Sequence, residues 1–190
     1  WAQHEAGRGE DPAALLDAAA ADAARAVEIG PDASAAWFRK GSIAVDRGLR
    51  AMNRLEDPTP PFEEAIRDLG RALELSPSYT DAWRSRGVAR LNLGLYRLLR
   101  GEDPEPVYGP AERDFAQVVK LDAGSGRARL LLGHLHFNRG LWCLRRGPAE
   151  ASFVEAARAY AEALEARDAP SEAALWLGHA HLQTTEMYTR

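Results

Sequence analysis

Apolar side chains recur every three or four residues along most of the chain, and this spacing predicts α-helices. Residues 12–29 combine such an apolar stripe with many alanines, the residue type that favours a helix most strongly. No segment alternates apolar and polar residues with a period of two, as a half-buried β-strand would. We therefore predict an all-α protein.

Prolines and glycines divide the chain into long helices that are each followed by a shorter one. The longest predicted loop covers Gly101–Pro110, which is rich in proline, glycine and acidic residues. The long helices are predicted over residues 34–55, 80–99, 127–146 and 171–190, and the short ones over residues 62–75, 111–121 and 152–165.

The pattern Ala-x-x-x-x-Gly opens each long helix, and it returns after 46, 46 and 45 residues at Ala36, Ala82, Ala128 and Ala173. A fixed period of this length is typical of repeat proteins, in which each unit buries its apolar face on its neighbours. We therefore predict one array over residues 1–190. Its repeats are 34–79, 80–125 and 126–170, and its partial repeats are 1–33 and 171–190.

Both ends of the chain fall inside a predicted repeat. The string Arg-Gly-Glu-Asp-Pro at residues 8–12 returns at residues 100–104, two periods later. Residues 1–9 should therefore be the end of a helix, and residues 171–190 the first helix of another repeat. We expect the chain to be a fragment of a longer array or of a multidomain protein.

Certain residues of these units recur in the pattern of a known repeat family. The strings Asp-Ala-Trp at 81–83 and Ala-Leu-Glu-Leu-Ser-Pro at 72–77 carry the pattern most clearly. The others are Trp37, Gly41, Ala65, Leu69, Gly87, Ala111, Phe115, Val118, Gly133, Ala156, Tyr160 and Ala163. On these residues the chain resembles the tetratricopeptide repeat family. The resemblance implies an α-solenoid of stacked antiparallel helix pairs that forms a right-handed superhelix, with the first helix of each pair lining a concave groove.

The period differs from that of the family, whose repeats have about 34 residues. The first-helix glycine and the second-helix alanine are 24 residues apart at Gly41 and Ala65, so the added residues lie between them. We expect them to lengthen the first helix and its loop, so that the first helix overhangs a shorter partner. Three more glycines, at 48, 94 and 140, should let these long helices approach their neighbours closely.

The resemblance also selects the positions that should face the groove. They are Phe38, Ser42, Asp46, Arg84, Val88, Asn92, Leu130, His134, Asn138, Leu175, His179 and Gln183, with Arg127 at the lip. Polar side chains of these types can bind the carbonyls and carboxylates of a partner, and the apolar ones can hold its side chains. We predict a peptide-binding groove built from Phe38, Asp46, Arg84, Asn92, Arg127, His134, Asn138, His179 and Gln183. The alternative is that these are ordinary solvated helix residues.

The function that follows is a non-catalytic scaffold that binds a peptide or a partner domain. One alternative is a structural module that assembles through its uncapped terminal helices, with Leu175, Trp176 and Leu182 on the exposed face, and so forms a homodimer. The resemblance also fits a regulatory region of a bacterial signalling protein. No His-Glu-x-x-His, Gly-x-Ser-x-Gly or Gly-Lys-Ser/Thr motif points to an enzyme.

Charge and cysteine content narrow the partners further. The net charge of −4 offers no basic surface for nucleic acid. The apolar stretch at residues 13–27 is too short and too charged to span a bilayer, and no secretion signal is present. We therefore expect a cytoplasmic protein that binds neither nucleic acid nor membrane. The lone Cys143 rules out an internal disulfide.

The pattern Gly-His-x-His occurs twice, at residues 133–136 and 178–181. A two-residue step rotates a helix by about 200°, so the two histidines of each pair should point to opposite faces. A zinc pair on a helix needs a spacing of three or four residues. We predict no metal site and no cofactor.

Overall fold

The computed structural model describes residues 12–144 and 146–188. Within these residues it contains helices and no strand, which confirms the all-α prediction. The predicted helix end at residues 1–9 lies outside the described residues. The helices are α1 (Pro12–Ile29), α2 (Ser34–Asn53), α3 (Thr59–Leu75), α4 (Thr80–Leu99), α5 (Glu105–Leu121), α6 (Gly126–Cys143), α7 (Glu150–Leu164) and α8 (Ala173–Tyr188).

The chain divides into two compact units, Trp1–Ala89 and Arg90–Arg190, and the boundary falls inside α4. In the first unit α2 packs against both α1 and α3, around the fully buried Phe62 and Leu69. In the second unit α6 packs against α5 and α7, and α7 also packs against α8. The division into repeats at 34–79, 80–125 and 126–170 stays a prediction.

Glycines 48, 94 and 140 of the long helices were predicted to allow close approach, and each forms a notch that receives a large side chain from the helix that follows. A Cβ atom on Gly48 would lie 2.5 Å from the ring of Phe62, and one on Gly140 would lie 2.6 Å from the ring of Phe153. At Gly94 the corresponding ring is that of Tyr108, at 2.1 Å. Any side chain larger than hydrogen would therefore displace a fully buried ring.

The second helix of each repeat is longer than predicted, although the first helix is still the longer of the two, so the overhang is smaller than expected. Helix α5 begins at Glu105 and continues through Pro110, in the segment predicted to be a loop. The ring of Tyr108 is fully buried beside Gly94, and this tertiary burial outweighs the hydrogen bond that Pro110 cannot make. Helix α3 likewise begins at Thr59, because prolines are compatible with the first turn of a helix.

An aspartate before each of these two helices stabilises its start. The Asp57 carboxylate accepts a hydrogen bond from the Thr59 backbone N–H at 2.9 Å, and Asp103 accepts one from Glu105 at 3.0 Å. The two aspartates are 46 residues apart, so the repeat extends to the loops. Between α2 and α3, Leu55 adopts the left-handed conformation, which Gly101 adopts at the equivalent position.

The two tryptophans that open the predicted repeats occupy matching surroundings. The Trp37 indole donates a hydrogen bond to the Pro31 carbonyl at 2.7 Å, and the Trp83 indole donates one to the Pro77 carbonyl at 2.8 Å. Each indole therefore ties the start of a long helix to the loop before it. This equivalence is what stacked copies of one unit require.

Candidate functional site

A cleft of about 190 Å³ opens in the second unit between α4, α6 and α8. It brings together three of the residues that the sequence nominated, Asn92, His134 and Asn138. Sequence reasoning missed the rest of its lining. These additional residues are Leu91, Leu95, Phe137 and Trp176.

Three of the missed residues, Leu91, Leu95 and Phe137, could have been predicted from their positions beside the two asparagines. On α4, Leu91 precedes Asn92 and Leu95 follows it by three residues. On α6, Phe137 precedes Asn138. Neighbouring positions on a helix are 100° apart. An asparagine at the edge of the surface that lines the groove therefore implies that an apolar neighbour on the same helix also faces the groove.

Trp176 from α8 closes one side of the cleft, where it packs against rings of α6 and α7. Its ring centroid is 4.8 Å from that of His134 and 5.7 Å from that of Phe137, both in edge-to-face geometry. It also stacks on Tyr160 at 6.3 Å. The alternative of self-assembly placed Trp176 on an exposed terminal face, but the ring is half-buried in the aromatic cluster and fills a gap between helices.

His134 is held in its neutral form at physiological pH. The pKa of its imidazole is lowered to about 4, chiefly by burial and secondly by the nearby Arg127, against the opposite effect of Glu172. The buried Nε2 atom makes no hydrogen bond within the described residues. The ring therefore contributes to the cleft mainly as an aromatic surface rather than as an ion.

Two fully buried tyrosines, Tyr108 and Tyr160, lie behind residues of the cleft. Burial raises the pKa of both hydroxyls, so both keep their protons. Neither hydroxyl makes a hydrogen bond within the described residues. Asn138 lies close enough to oppose the pKa shift of Tyr108, although the geometry falls short of a hydrogen bond.

The histidine that follows in the same motif points elsewhere. The His136 Nε2 atom is 3.7 Å from a carboxylate oxygen of Glu112 on α5, and burial lowers the pKa of this imidazole. Arg139 joins the group with hydrogen bonds to Glu105 at 2.8 Å and to Glu112 at 3.1 Å. His134 and His136 therefore lie in different surroundings, as the two-residue spacing predicted.

Three of the nominated groove residues belong to the first unit. The ring of Phe38 is half-buried, and its centroid is 4.8 Å from that of Tyr79. Arg84 pairs with Asp81 one turn away at 2.8 Å, and Asp46 is exposed. These side chains are accessible, although Phe38 already contacts Tyr79 and Arg84 already pairs with Asp81.

The other nominated residues lie at the rim of α6 and on α8. Arg127 is exposed and forms an ion pair with Glu172 at 3.0 Å. His179 is exposed beside Trp176, with ring centroids 5.6 Å apart, and Gln183 is half-buried. Leu130 was expected to face the groove, but it is buried among Ala156, Tyr160 and other residues of α7 and α8, so that expectation is wrong.

Within residues 12–144 and 146–188, no group of three histidines, cysteines or acidic residues could hold a metal ion. In that part of the chain no helix is long and apolar enough to cross a membrane.

Comparison with known proteins defines the class of this chain. The sequence model of the family described as Tetratricopeptide repeat matches residues 62–97, which cover most of α3 and α4. The crystal structure of MamA is similar in fold, with a TM-score of 0.52 and 16% identity over 99% of this chain and 96% of that chain. No curated protein matches the sequence. These findings support the assignment to the tetratricopeptide repeat family and show an α-solenoid fold.

Repeats of this family and fold are typically non-catalytic scaffolds, and proteins that contain them generally bind protein partners. The family match and the fold support a protein-interaction scaffold in these general terms. Absence of enzymatic activity and a cytoplasmic location stay predictions.

Proposed function

We propose that the cleft between α4, α6 and α8 binds a peptide segment of a partner protein. The observation that carries the proposal is that one concave site contains two side-chain amides, Asn92 and Asn138, together with an apolar and aromatic lining. The volume of about 190 Å³ is below the range of about 300–1,000 Å³ that small-molecule sites occupy. A cleft of this size suits an anchoring side chain of a longer ligand.

The chemistry of the lining matches a peptide. A carboxamide both donates and accepts hydrogen bonds, and so does each peptide group of an extended chain. The rings of Phe137 and Trp176 offer rigid apolar surface for a side chain of the ligand. Specificity would then come from the shape of this aromatic pocket, with the amides setting the register of the backbone.

A third side-chain amide, that of Gln183, occupies the same position of the repeat as Asn92 and Asn138. Gln183 on α8 is 45 residues after Asn138, which in turn is 46 residues after Asn92, so the three occupy equivalent positions. Helices that pack against each other are about 8–10 Å apart. Because an extended chain rises about 3.3 Å per residue, it would meet one amide about every third residue.

A selection from a displayed library of random peptides tests the proposal, followed by affinity measurements on the selected peptides. The Asn92→Ala/Asn138→Ala variant should weaken binding by about tenfold, because each neutral hydrogen bond contributes about 0.5–1.5 kcal/mol. The exposed Asn53 lies outside the cleft, and Asn53→Ala is the matched control, which should bind as the wild type does.

Two outcomes contradict the proposal. One is that the protein selects no peptide above background. The other is that the selected peptides bind the double variant as tightly as they bind the Asn53→Ala control, while urea unfolding shows that both variants are folded.

A further inference from the structure

We infer that the peptide bound in the cleft extends along α4 and α6 into a second pocket, where it places an aliphatic side chain and an acidic one. This leucine pocket, of about 620 Å³, opens where the two helices end. Its lining consists of Leu98, Leu99, Gly101, Leu141, Trp142, Leu144 and Arg146. The inference rests on the proposed peptide-binding function and specifies the ligand that this function requires.

The same two helices line the cleft and the leucine pocket. On α4 the cleft residues Leu91 and Leu95 are followed after three residues by Leu98, on the same side of the helix. On α6 the cleft residue Phe137 is followed after four residues by Leu141. Each helix therefore carries one apolar stripe from the cleft into the leucine pocket.

The distance between the two sites suits a peptide. A helix rises about 1.5 Å per residue, so Leu98 lies about 10 Å along α4 from Leu91. In the polyproline II conformation, side chains three residues apart lie on the same side of the chain and about 9 Å apart. The anchor in the cleft and the aliphatic side chain in the leucine pocket should therefore be about three residues apart. This arm of the peptide runs along the helices, whereas the three amides are met across them.

The leucines of this pocket are exposed although their helices have neighbours. Leu99 is 70% exposed, Leu144 is 46% exposed and Leu141 is 38% exposed. Helix α6 already packs against α5 and α7, and these contacts leave its two leucines uncovered. Exposed apolar side chains grouped around a concave site are of the kind that marks an interaction surface. The volume lies within the range of about 300–1,000 Å³ that ligand sites occupy.

Arg146 is the one charged residue in the lining, and it selects an acidic side chain of the ligand. Its guanidinium carbon lies 3.6 Å from the centre of the Trp142 ring and makes no ion pair within the described residues. Arg100, which lies beside the pocket, is by contrast paired with Glu102 at 2.8 Å. A carboxylate of the peptide would give Arg146 the partner that Arg100 already has.

The leucine pocket belongs to the part of the repeat that is longer than usual. Its α4 side lies between Gly87 and Ala111, and its α6 side lies between Gly133 and Ala156. These stretches contain the residues added to the usual repeat of about 34 residues. The added residues therefore extend the groove beyond the cleft and supply a second point of contact for the same ligand.

A displayed library of random peptides of about 14 residues, long enough to span both sites, supplies the probes. After selection on the wild-type chain, fluorescence anisotropy measures the affinity of each peptide for the variants. The selected peptides should share an aromatic or apolar anchor and, about three residues away, an aliphatic residue next to aspartate or glutamate. Leu144→Ser should weaken their binding by about tenfold, because it removes apolar surface that the aliphatic side chain would cover.

Arg146→Glu tests the charge. It should weaken binding by about threefold or more at low salt, and a lysine in place of the acidic residue of the peptide should restore the affinity. The matched controls are Leu121→Ser and Arg113→Glu, which change exposed residues of α5 that line neither site. Both controls should bind as the wild type does, and urea unfolding checks that every variant is folded.

The outcomes separate this inference from the proposed function. Peptides that lose affinity in Asn92→Ala/Asn138→Ala but keep it in Leu144→Ser and Arg146→Glu would bind in the cleft alone, and the inference would be wrong. Peptides that lose affinity only in the two leucine-pocket variants would overturn both proposals, as would the selection of no peptide. A dimer in light scattering that Leu144→Ser dissociates would assign the leucine pocket to a second copy and would also overturn the inference.

Discussion

Helices α6 and α8 carry the same Gly-His-x-His motif 45 residues apart, at 133–136 and 178–181, yet the two copies have different environments. In α6 the glycine receives the ring of Tyr160, and His134 is packed against Trp176. In α8 no atom of the described residues lies within 4 Å of the position that a Cβ atom on the glycine would take, and both histidines are exposed. The comparison teaches that an identical string becomes core or surface according to the helix that follows it.

The reason is the number of neighbours that each helix has. Helix α6 lies in contact with α5 on one side and with α7 and α8 on the other. Helix α8 contacts α7 and, more weakly, α6 among the described residues. In a repeat array the burial of any unit depends on its neighbours, so a helix with fewer neighbours among the described residues exposes what a more enclosed helix buries.

Among the changes that test this comparison, removal of the Trp176 ring should have the largest effect on stability. Trp176→Ala deletes the ring that packs on His134, Phe137 and Tyr160, and we expect a loss of about 2–4 kcal/mol in the free energy of unfolding. Urea unfolding at constant m value measures this. Trp142→Ala is the control, since the structure gives that ring one stacking partner, Arg146 at 3.6 Å. Equal losses for the two variants would show that the aromatic cluster does not stabilise the unit.

Acid should destabilise the protein through His134. Its pKa is about 4 when folded and about 6.5 when unfolded, so the unfolded state binds more protons between these values. Stability is therefore complete above pH 6.5 and falls as the pH is lowered towards 4. Since one pKa unit corresponds to about 1.4 kcal/mol, the loss is at most about 3 kcal/mol.

The measurement is urea unfolding from pH 7 to pH 4 with wild type, His134→Gln and His179→Gln. The His134→Gln variant should lose this part of the pH dependence, which separates it from the titration of carboxylates. His179→Gln changes the equivalent exposed residue and should keep the wild-type slope. Identical slopes for all three proteins would mean that His134 is not the group responsible.

The smallest effect is expected at the two glycines themselves. Gly133→Ala places a methyl group against the buried ring of Tyr160 and should destabilise the protein by about 1–3 kcal/mol. Gly178→Ala meets no atom and should stabilise it by up to about 1 kcal/mol, because alanine favours a helix. Thermal or urea unfolding of this matched pair tests the notch directly. A change of the same sign in both variants would contradict the assignment of an open notch to α8.

The local pattern predicted helices α1 and α4 to the residue, because each has a clear apolar period and a stop signal at its ends. It failed at α5, where Pro110 and the acidic residues predicted a loop. The burial of Tyr108 in the notch of Gly94 involves two residues 14 positions apart, and no local propensity reports such a contact. The candidate site shows the same limit: Asn92 and Asn138 were predicted from their position in the repeat, but Trp176 required the contact between α8 and α6.

By itself the sequence determined the class of this protein, because a period of 46 residues with glycines and small residues in register can be satisfied by stacked helix pairs. Only the tertiary structure decided which copy of each motif is buried, where the cleft opens and which notch is left empty. These properties depend on atoms that meet across helices, whereas a repeated motif has the same letters in every copy.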